Sequence, residues 1–171
     1  MFKMGWTEMN ERNPRGRLIA IGFALCVLIG CEGGSNKKGD LGINDLPIEK
    51  FSALQIFTRG EFELEREQPK KAAKYFAQIE RLYPYSEWAK RALMMQAFSH
   101  HQANEYGSSR AVAQRFIDFY PADDDAAYAQ FLLALSYYDQ IDDVGRDQQL
   151  TYRALQELRT LIERYPESEY A

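Results

Sequence analysis

The chain has 171 residues, with 21 basic and 25 acidic side chains and two cysteines. That length suits a single domain with one continuous core. The acidic balance lacks the clustered lysines and arginines that a nucleic-acid partner demands, and two cysteines are too few to build a disulfide scaffold.

At the start, Arg12, Arg15 and Arg17 precede Leu18–Ile29, twelve apolar and small residues in an unbroken run. A bilayer core asks for about 20 apolar residues, so the run is too short to span, but it suits the apolar region of a secretory signal. Residues 1–30 are read as that signal peptide. Its end, Leu28-Ile29-Gly30-Cys31, resembles the bacterial lipobox, in which the cysteine is lipidated and becomes the first mature residue. The resemblance implies Cys31 as the lipidation site; covalent lipid is the one non-protein group expected, with no cofactor and no metal. Residues 32–39 are polar and glycine-rich, the composition of a flexible tether. The expected organisation is thus a lipidated tether over 31–46 and a folded domain over 47–171. Cys26 leaves with the signal and Cys31 is blocked, so helix packing rather than a disulfide must hold the fold. Two acyl chains already anchor a protein stably. In the Gram-negative sorting rule an Asp after the cysteine favours the inner membrane; Glu32 points instead to the outer membrane, with the domain in the periplasm. Beyond residue 30 the chain carries 17 basic and 23 acidic residues, a net charge of −6.

Pro47 fits the opening of a first helix running to about Glu67, with Phe51, Leu54, Phe57, Phe62 and Leu64 as apolar surface. Pro69 fits the first turn of a second helix, where its missing amide is not needed. Along it Ala72, Phe76, Ile79, Leu82 and Tyr83 form one apolar stripe, while Lys70, Lys71 and Lys74 line a solvated face. A third helix spans about Glu87 to Asn104. Gly107, Ser108 and Ser109 interrupt the pattern before a fourth, whose stripe is Ala113, Phe116, Ile117 and Tyr120. Asp123–Ile141 gives the fifth and Leu150–Tyr165 the sixth, with Leu155, Leu158, Leu161 and Ile162 inward. No stretch reads as a strand, and the expected fold class is all-α.

The helices repeat. Tyr83-Pro84-Tyr85-Ser86-Glu87-Trp88-Ala89 returns as Tyr165-Pro166-Glu167-Ser168-Glu169-Tyr170-Ala171, identical at five of seven positions. In each copy Pro ends one helix, Ser is placed to cap the next, and Glu suits its positive end. Phe119-Tyr120-Pro121-Ala122-Asp123 is a weaker third corner, with Asp as the expected cap. Pro84 to Pro121 is 37 residues, as are Gly60 to Ala97 and Ala97 to Ala134. Pro121 to Pro166 is 45, and the eight extra residues are placed in the polar stretch Asp142–Gln149.

With Ala53 as its first position, a tetratricopeptide unit finds Gly60, Ala72, Phe76 and Pro84 on its small, small, aromatic and proline positions, and Ile79 where alanine is commoner. Ser109 stands where Ala72 does; Ala113 stands where Phe76 does, with Phe116 one turn later as compensation. Together with the lipobox and tether, the runs at 81–86 (Arg-Leu-Tyr-Pro-Tyr-Ser), 114–121 and 162–170 resemble one family in particular, the BamD lipoproteins of the β-barrel assembly machine. The resemblance implies a tetratricopeptide-like superhelical array of about three antiparallel helix pairs plus the start of a fourth. It also implies a non-enzymatic subunit at the periplasmic face of the outer membrane. Such a subunit receives unfolded outer-membrane proteins and helps their folding and insertion. Its partners are the barrel subunit, the other Bam lipoproteins, segments of unfolded protein and the membrane itself, with no nucleic acid. Family members carry more repeats, so a C-terminally truncated sequence is expected. Another tetratricopeptide lipoprotein, such as a secretin pilotin or an adaptor for cell-wall enzymes, is the alternative; a helical hydrolase that has lost its active-site domain ranks last.

Candidate peptide- or partner-binding residues crowd the first corner and the helices before it: Arg59, Arg81, Tyr83, Tyr85, Glu87 and Trp88. The rings offer large contact area for little lost entropy, and the charged groups suit a peptide's terminal carboxylate or side chains. Tyr83 reads more readily as a packing residue than Tyr85. Other chemistry finds no support. His100 and His101 point about 100° apart on a helix and do not chelate one metal. Asp123-Asp124-Asp125 lacks the alternation, the central Gly and the distal Glu of a calcium loop. Glu63 and Glu67 lie four apart but nothing in the sequence places them in a cleft. Phosphate-loop and nucleophile-elbow patterns are missing.

Overall fold

The computed structural model describes residues 47–141 and 148–171. The expected signal peptide, the expected lipidation site Cys31 with its tether, and positions 142–147 of the stretch where the extra residues are expected lie outside the described residues. Pro47 opens not a helix but a single 3-10 turn, Ile48–Lys50, after which Phe51 is extended. The break arises at Ser52. Its hydroxyl accepts from the Gln55 amide at 3.3 Å while the Gln55 side chain accepts from the Ser52 amide at 2.8 Å, a reciprocal cap that starts a new helix. Helix α1 therefore runs Ala53–Glu65, shorter at both ends than its spacing predicts. Then follow α2 (Pro69–Leu82), α3 (Glu87–Gln102), α4 (Tyr106–Phe119), α5 (Ala126–Tyr138) and α6 (Gln148–Arg164), with no strand among the described residues.

Each helix packs against the next in sequence, so the molecule is a zigzag of antiparallel pairs. Gly60 shows why small residues recur. A Cβ placed there would lie 2.6 Å from Cε1 of Phe76, so α1 and α2 touch backbone to ring. Phe76 is fully buried with Phe57, Ile79 and Ala72, and Ala92 of α3 closes this first core. Full burial of a ring of that size is worth about 1.5–3 kcal/mol. In the second unit the large side chain moves one turn along: Ala113 is small and Phe116 is fully buried among Leu93, Ala97, Val112 and Leu132. Ser109, in the place of Ala72, donates to the carbonyl of Ala97 at 2.9 Å and accepts from Ser136 Oγ at 3.1 Å. Both buried hydroxyls are thus satisfied.

The corners form as the repeat predicts, but their polar residues act differently. Ser86 does not cap α3; its hydroxyl donates to the Tyr83 carbonyl at 2.8 Å and seals the corner itself. Asp123 does not cap α5 either. One of its oxygens accepts from the Asp125 amide at 3.1 Å, the other takes the Lys90 ammonium at 2.6 Å, and α5 begins later, at Ala126. Leu54 and Phe62 are exposed rather than core-facing. On α6 only Ala154 and Leu161 are buried, while Leu155 is 50% and Ile162 53% exposed, because this helix packs chiefly against α5 and turns its other side outward. The three lysines of α2 are exposed, as their spacing implies, with Lys70 reaching Glu105 at 3.2 Å.

Candidate functional site

Helix α1 touches α3 and α3 touches α5, whereas α2, α4 and α6 approach one another less closely. The array therefore bends with the odd helices inside, the side that repeat folds use for binding. A shift of 37 residues carries Leu54 to Arg91 to Tyr128, and Phe57 to Met94 to Phe131. Trp88 lies with its ring centroid 5.0 Å from that of Phe57. Tyr170, its counterpart in the last corner, stacks on Phe131 at 5.5 Å and meets Tyr128 at a tilt, 5.2 Å between centroids. The ends of the inner face therefore carry equivalent ring clusters. The middle corner has Asp125 where the others have a ring, and Met94 where the others have Phe. Burial pushes the Tyr128 phenol up, with charge repulsion from the ionisable Tyr170 hydroxyl adding to the effect, so it stays neutral.

Between the clusters stands Arg91, which sequence reasoning missed. Its guanidinium lies 5.0 Å from the Phe57 ring and 5.1 Å from the Trp88 ring. Such cation–aromatic contacts fix the plane of the guanidinium and partly desolvate it. Two carboxyls feel its charge. Partial burial raises Glu61 on α1, an effect Arg91 moderates; burial and then neighbouring Asp123 raise Asp125, with Lys90 and Arg91 opposing. The signal for Arg91 was its place, 37 residues after Leu54, on the face opposite the core stripe. Beyond the second cluster, an apolar hollow of 210 Å³ opens between α5 and α6, lined by Phe131, Ala134, Leu135, Tyr138 and Leu158.

Of the residues singled out in the sequence, Trp88 alone joins this surface through a contact to α1. Tyr83 is half-buried and donates to the Phe51 carbonyl at 2.6 Å, and Arg81 reaches Glu49 at 3.1 Å. Both fasten the segment ahead of α1 to the end of α2, a structural role. Arg59 is half-buried, 3.9 Å from Glu63, with its guanidinium near the rings of Phe62 and Tyr75. Glu87 is exposed on the first turn of α3, and Tyr85 stands fully exposed on the corner. His100 and His101 do separate: the first meets Glu105 at 2.8 Å, the second Asp139 at 3.1 Å. No group of metal-ligating side chains occurs among the described residues, and no helix there is long and apolar enough to cross a membrane.

Residues 49–171 match the family model described as YfiO, outer membrane lipoprotein. The chain belongs to this family. Among its relatives, the outer membrane protein assembly factor BamD of Caulobacter vibrioides is 38% identical over 153 residues, 90% of this chain and 48% of that protein. The protein of the same name from Rickettsia prowazekii is 33% identical over 154 residues, 90% of this chain and 57% of its own length. The chain thus spans about half the length of these relatives. Family membership accounts for the all-helical, tetratricopeptide-like array: the match starts in the 3-10 turn and runs through every helix.

Proposed function

We propose that this chain is a lipid-anchored, non-enzymatic subunit of the β-barrel assembly machine. It receives segments of unfolded outer-membrane proteins on the inner face of its helical array and passes them to the membrane-embedded barrel subunit. The observation that carries the reading is the pair of half-buried rings, Trp88 seated over the buried Phe57 and Tyr170 against Phe131 and Tyr128, on the inner face of a fold whose relatives are named assembly factors. Outer-membrane strands alternate aromatic or aliphatic with polar residues. An extended segment of that kind can lay its apolar side on successive rings while its polar side faces water. Cys31 supplies the anchor, and Glu32 directs the protein to the outer membrane.

The test is purification of the lipidated protein from detergent-solubilised membranes, with mass spectrometry of what accompanies it. Near-equal recovery of the barrel subunit is expected, together with crosslinks to unfolded outer-membrane proteins from a photoreactive residue at Trp88. Recovery of a secretin or of cell-wall enzymes in place of the assembly subunit overturns the assignment and selects the other lipoprotein reading.

A further inference from the structure

Arg91 is charged, exposed and held, yet its donors are not used. Among the described residues its guanidinium lies against the rings of Phe57 and Trp88 and forms no direct hydrogen bond or ion pair, although Glu61 and Asp125 feel its charge. The other arginines and lysines that link helix pairs differ. Arg81 meets Glu49, Arg115 meets Glu80, Lys90 meets Asp123 and Lys70 meets Glu105. These fasten one unit to its neighbour. Arg91 sits at the same kind of junction, over Phe57 of α1 and within the field of Asp125 before α5, and makes no such ion pair.

We propose that Arg91 is a carboxylate-binding anchor on the inner face, taking one carboxylate of a bound apolar peptide segment in a two-pronged hydrogen-bonded pair. The inference rests on the reading above, that the inner face receives such segments. A guanidinium presents parallel donors that match the two oxygens of a carboxylate, and the flanking rings hold that fork before the ligand arrives. The rings also exclude water from one side, which strengthens the pair relative to an open surface. Leu54, on the equivalent position of α1, is 49% exposed, and Tyr128 holds that position on α5. Residues on either side of the bound carboxylate therefore meet apolar surface. Glu61 and Asp125 set the selectivity. Their combined negative charge disfavours a dianionic phosphate and leaves a singly charged carboxylate as the matching anion.

The test uses the full chain and fluorescein-labelled ten-residue peptides that alternate Phe, Leu or Tyr with Ser or Asn, read by fluorescence anisotropy. One peptide carries a central Asp and an amidated end, one has Asn for that Asp with a free terminal carboxylate, and one has Asn and an amidated end. Wild type is expected to bind at least one acid-bearing peptide about tenfold more tightly than the fully amidated one, and the Asp and terminal arms show which carboxylate is used. Arg91→Gln removes that difference, so that the three peptides bind alike. Arg91→Lys, which keeps the charge but not the fork, retains only part of it. Equal binding of all three peptides by wild type, or an undiminished preference in Arg91→Gln, overturns the anchor and leaves the groove reading standing. No binding of any peptide overturns the groove reading and the anchor with it.

Discussion

Gly60 and Phe76 set the distance between the first two helices. A methyl group at Gly60 would fall 2.6 Å from one ring carbon of Phe76 and 2.7 Å from another, and the ring has nowhere to go because it is fully buried. Two effects compete in Gly60→Ala. Removing a mid-helix glycine stabilises by roughly 0.5–1 kcal/mol, whereas forcing a methyl into a packed interface destabilises by about 1–3 kcal/mol. The clash wins, and urea unfolding should show a net loss of about 1–2 kcal/mol. Pairing the substitution with Phe76→Leu, which removes the atoms in the way, should give a double variant more stable than the two single losses added together. Simple additivity would mean that the close contact does not set the helix spacing.

At the scale of elements, the repeat shows itself in backbone conformation as well as in side chains. Glu67 ends α1 and Asn104 ends α3; they are 37 residues apart and are the two non-glycine residues with positive φ, at 56° and 58°, among those described. Each lets the following amide reach back, Gln68 to the Glu63 carbonyl at 2.8 Å and Glu105 to the His100 carbonyl at 2.9 Å. Asparagine adopts this left-handed conformation readily and glutamate does not. Glu67→Gly relieves about 1–2 kcal/mol of backbone strain and loses roughly 0.4–1 kcal/mol through the freer unfolded chain. A rise in melting temperature of about 2–6 °C is expected, whereas Lys74→Gly in the exposed middle of α2 should lower it. A fall with Glu67→Gly would show that the Glu67 side chain makes a compensating contact.

This element is also where legibility in the sequence stopped. Pro84, Pro121 and Pro166 made the corners visible because a proline's effect is local, and Gly60, Ala72 and Phe76 made the pairing visible because close helix contact needs small residues at fixed spacing. The cap at Ser52 was missed, since Pro47 offered a competing start five residues earlier. Ser86 was misread because its hydroxyl donates to the Tyr83 carbonyl and accepts from none of the first-turn amides of α3. Trp88 could be singled out from its motif, whereas for Arg91 the sequence offers only its place 37 residues after Leu54. An exposed arginine on a helix is ordinary until the fold lays Phe57 beside it. Leu155 and Ile162 read as core from periodicity alone, which reports that a face is apolar and not what covers it.

Across the whole molecule, the units are joined by contacts that respond to acid in different ways. Because each helix pair touches only its neighbours, stability is the sum of unit and junction terms, and weakening one junction loosens the array there. The junction between the second and third units includes His101, whose ring meets Asp139 at the end of α5 at 3.1 Å and the edge of Tyr106 on α4 at 5.5 Å. Arg110 of α4 lies close by, bonded to the Ser136 carbonyl and the Gln140 side chain and stacked on Tyr137. Burial lowers the His101 imidazole below its usual value near 6.5, and Asp139 opposes this only in part. The folded state thus holds the neutral ring, while the unfolded chain takes up a proton as the pH falls through the usual histidine range. Below that point the unfolded state binds more protons, so stability is lost toward acid and is fully present above it. Hydrogen exchange on the full chain at pH 7.5 and 5.5 should find protection at the α3–α5 junction reduced at the lower pH, after correction for the intrinsic rate. His101→Gln, which cannot titrate, should flatten that dependence without touching the α1–α2 pair, where Gly60 and Phe76 carry the contact. A pH dependence that survives the substitution unchanged would transfer the effect to the carboxylates. In that case Glu105 and Asp123 are the groups to replace next, since both titrate below their usual values and the folded state loses their stabilisation as they take up protons.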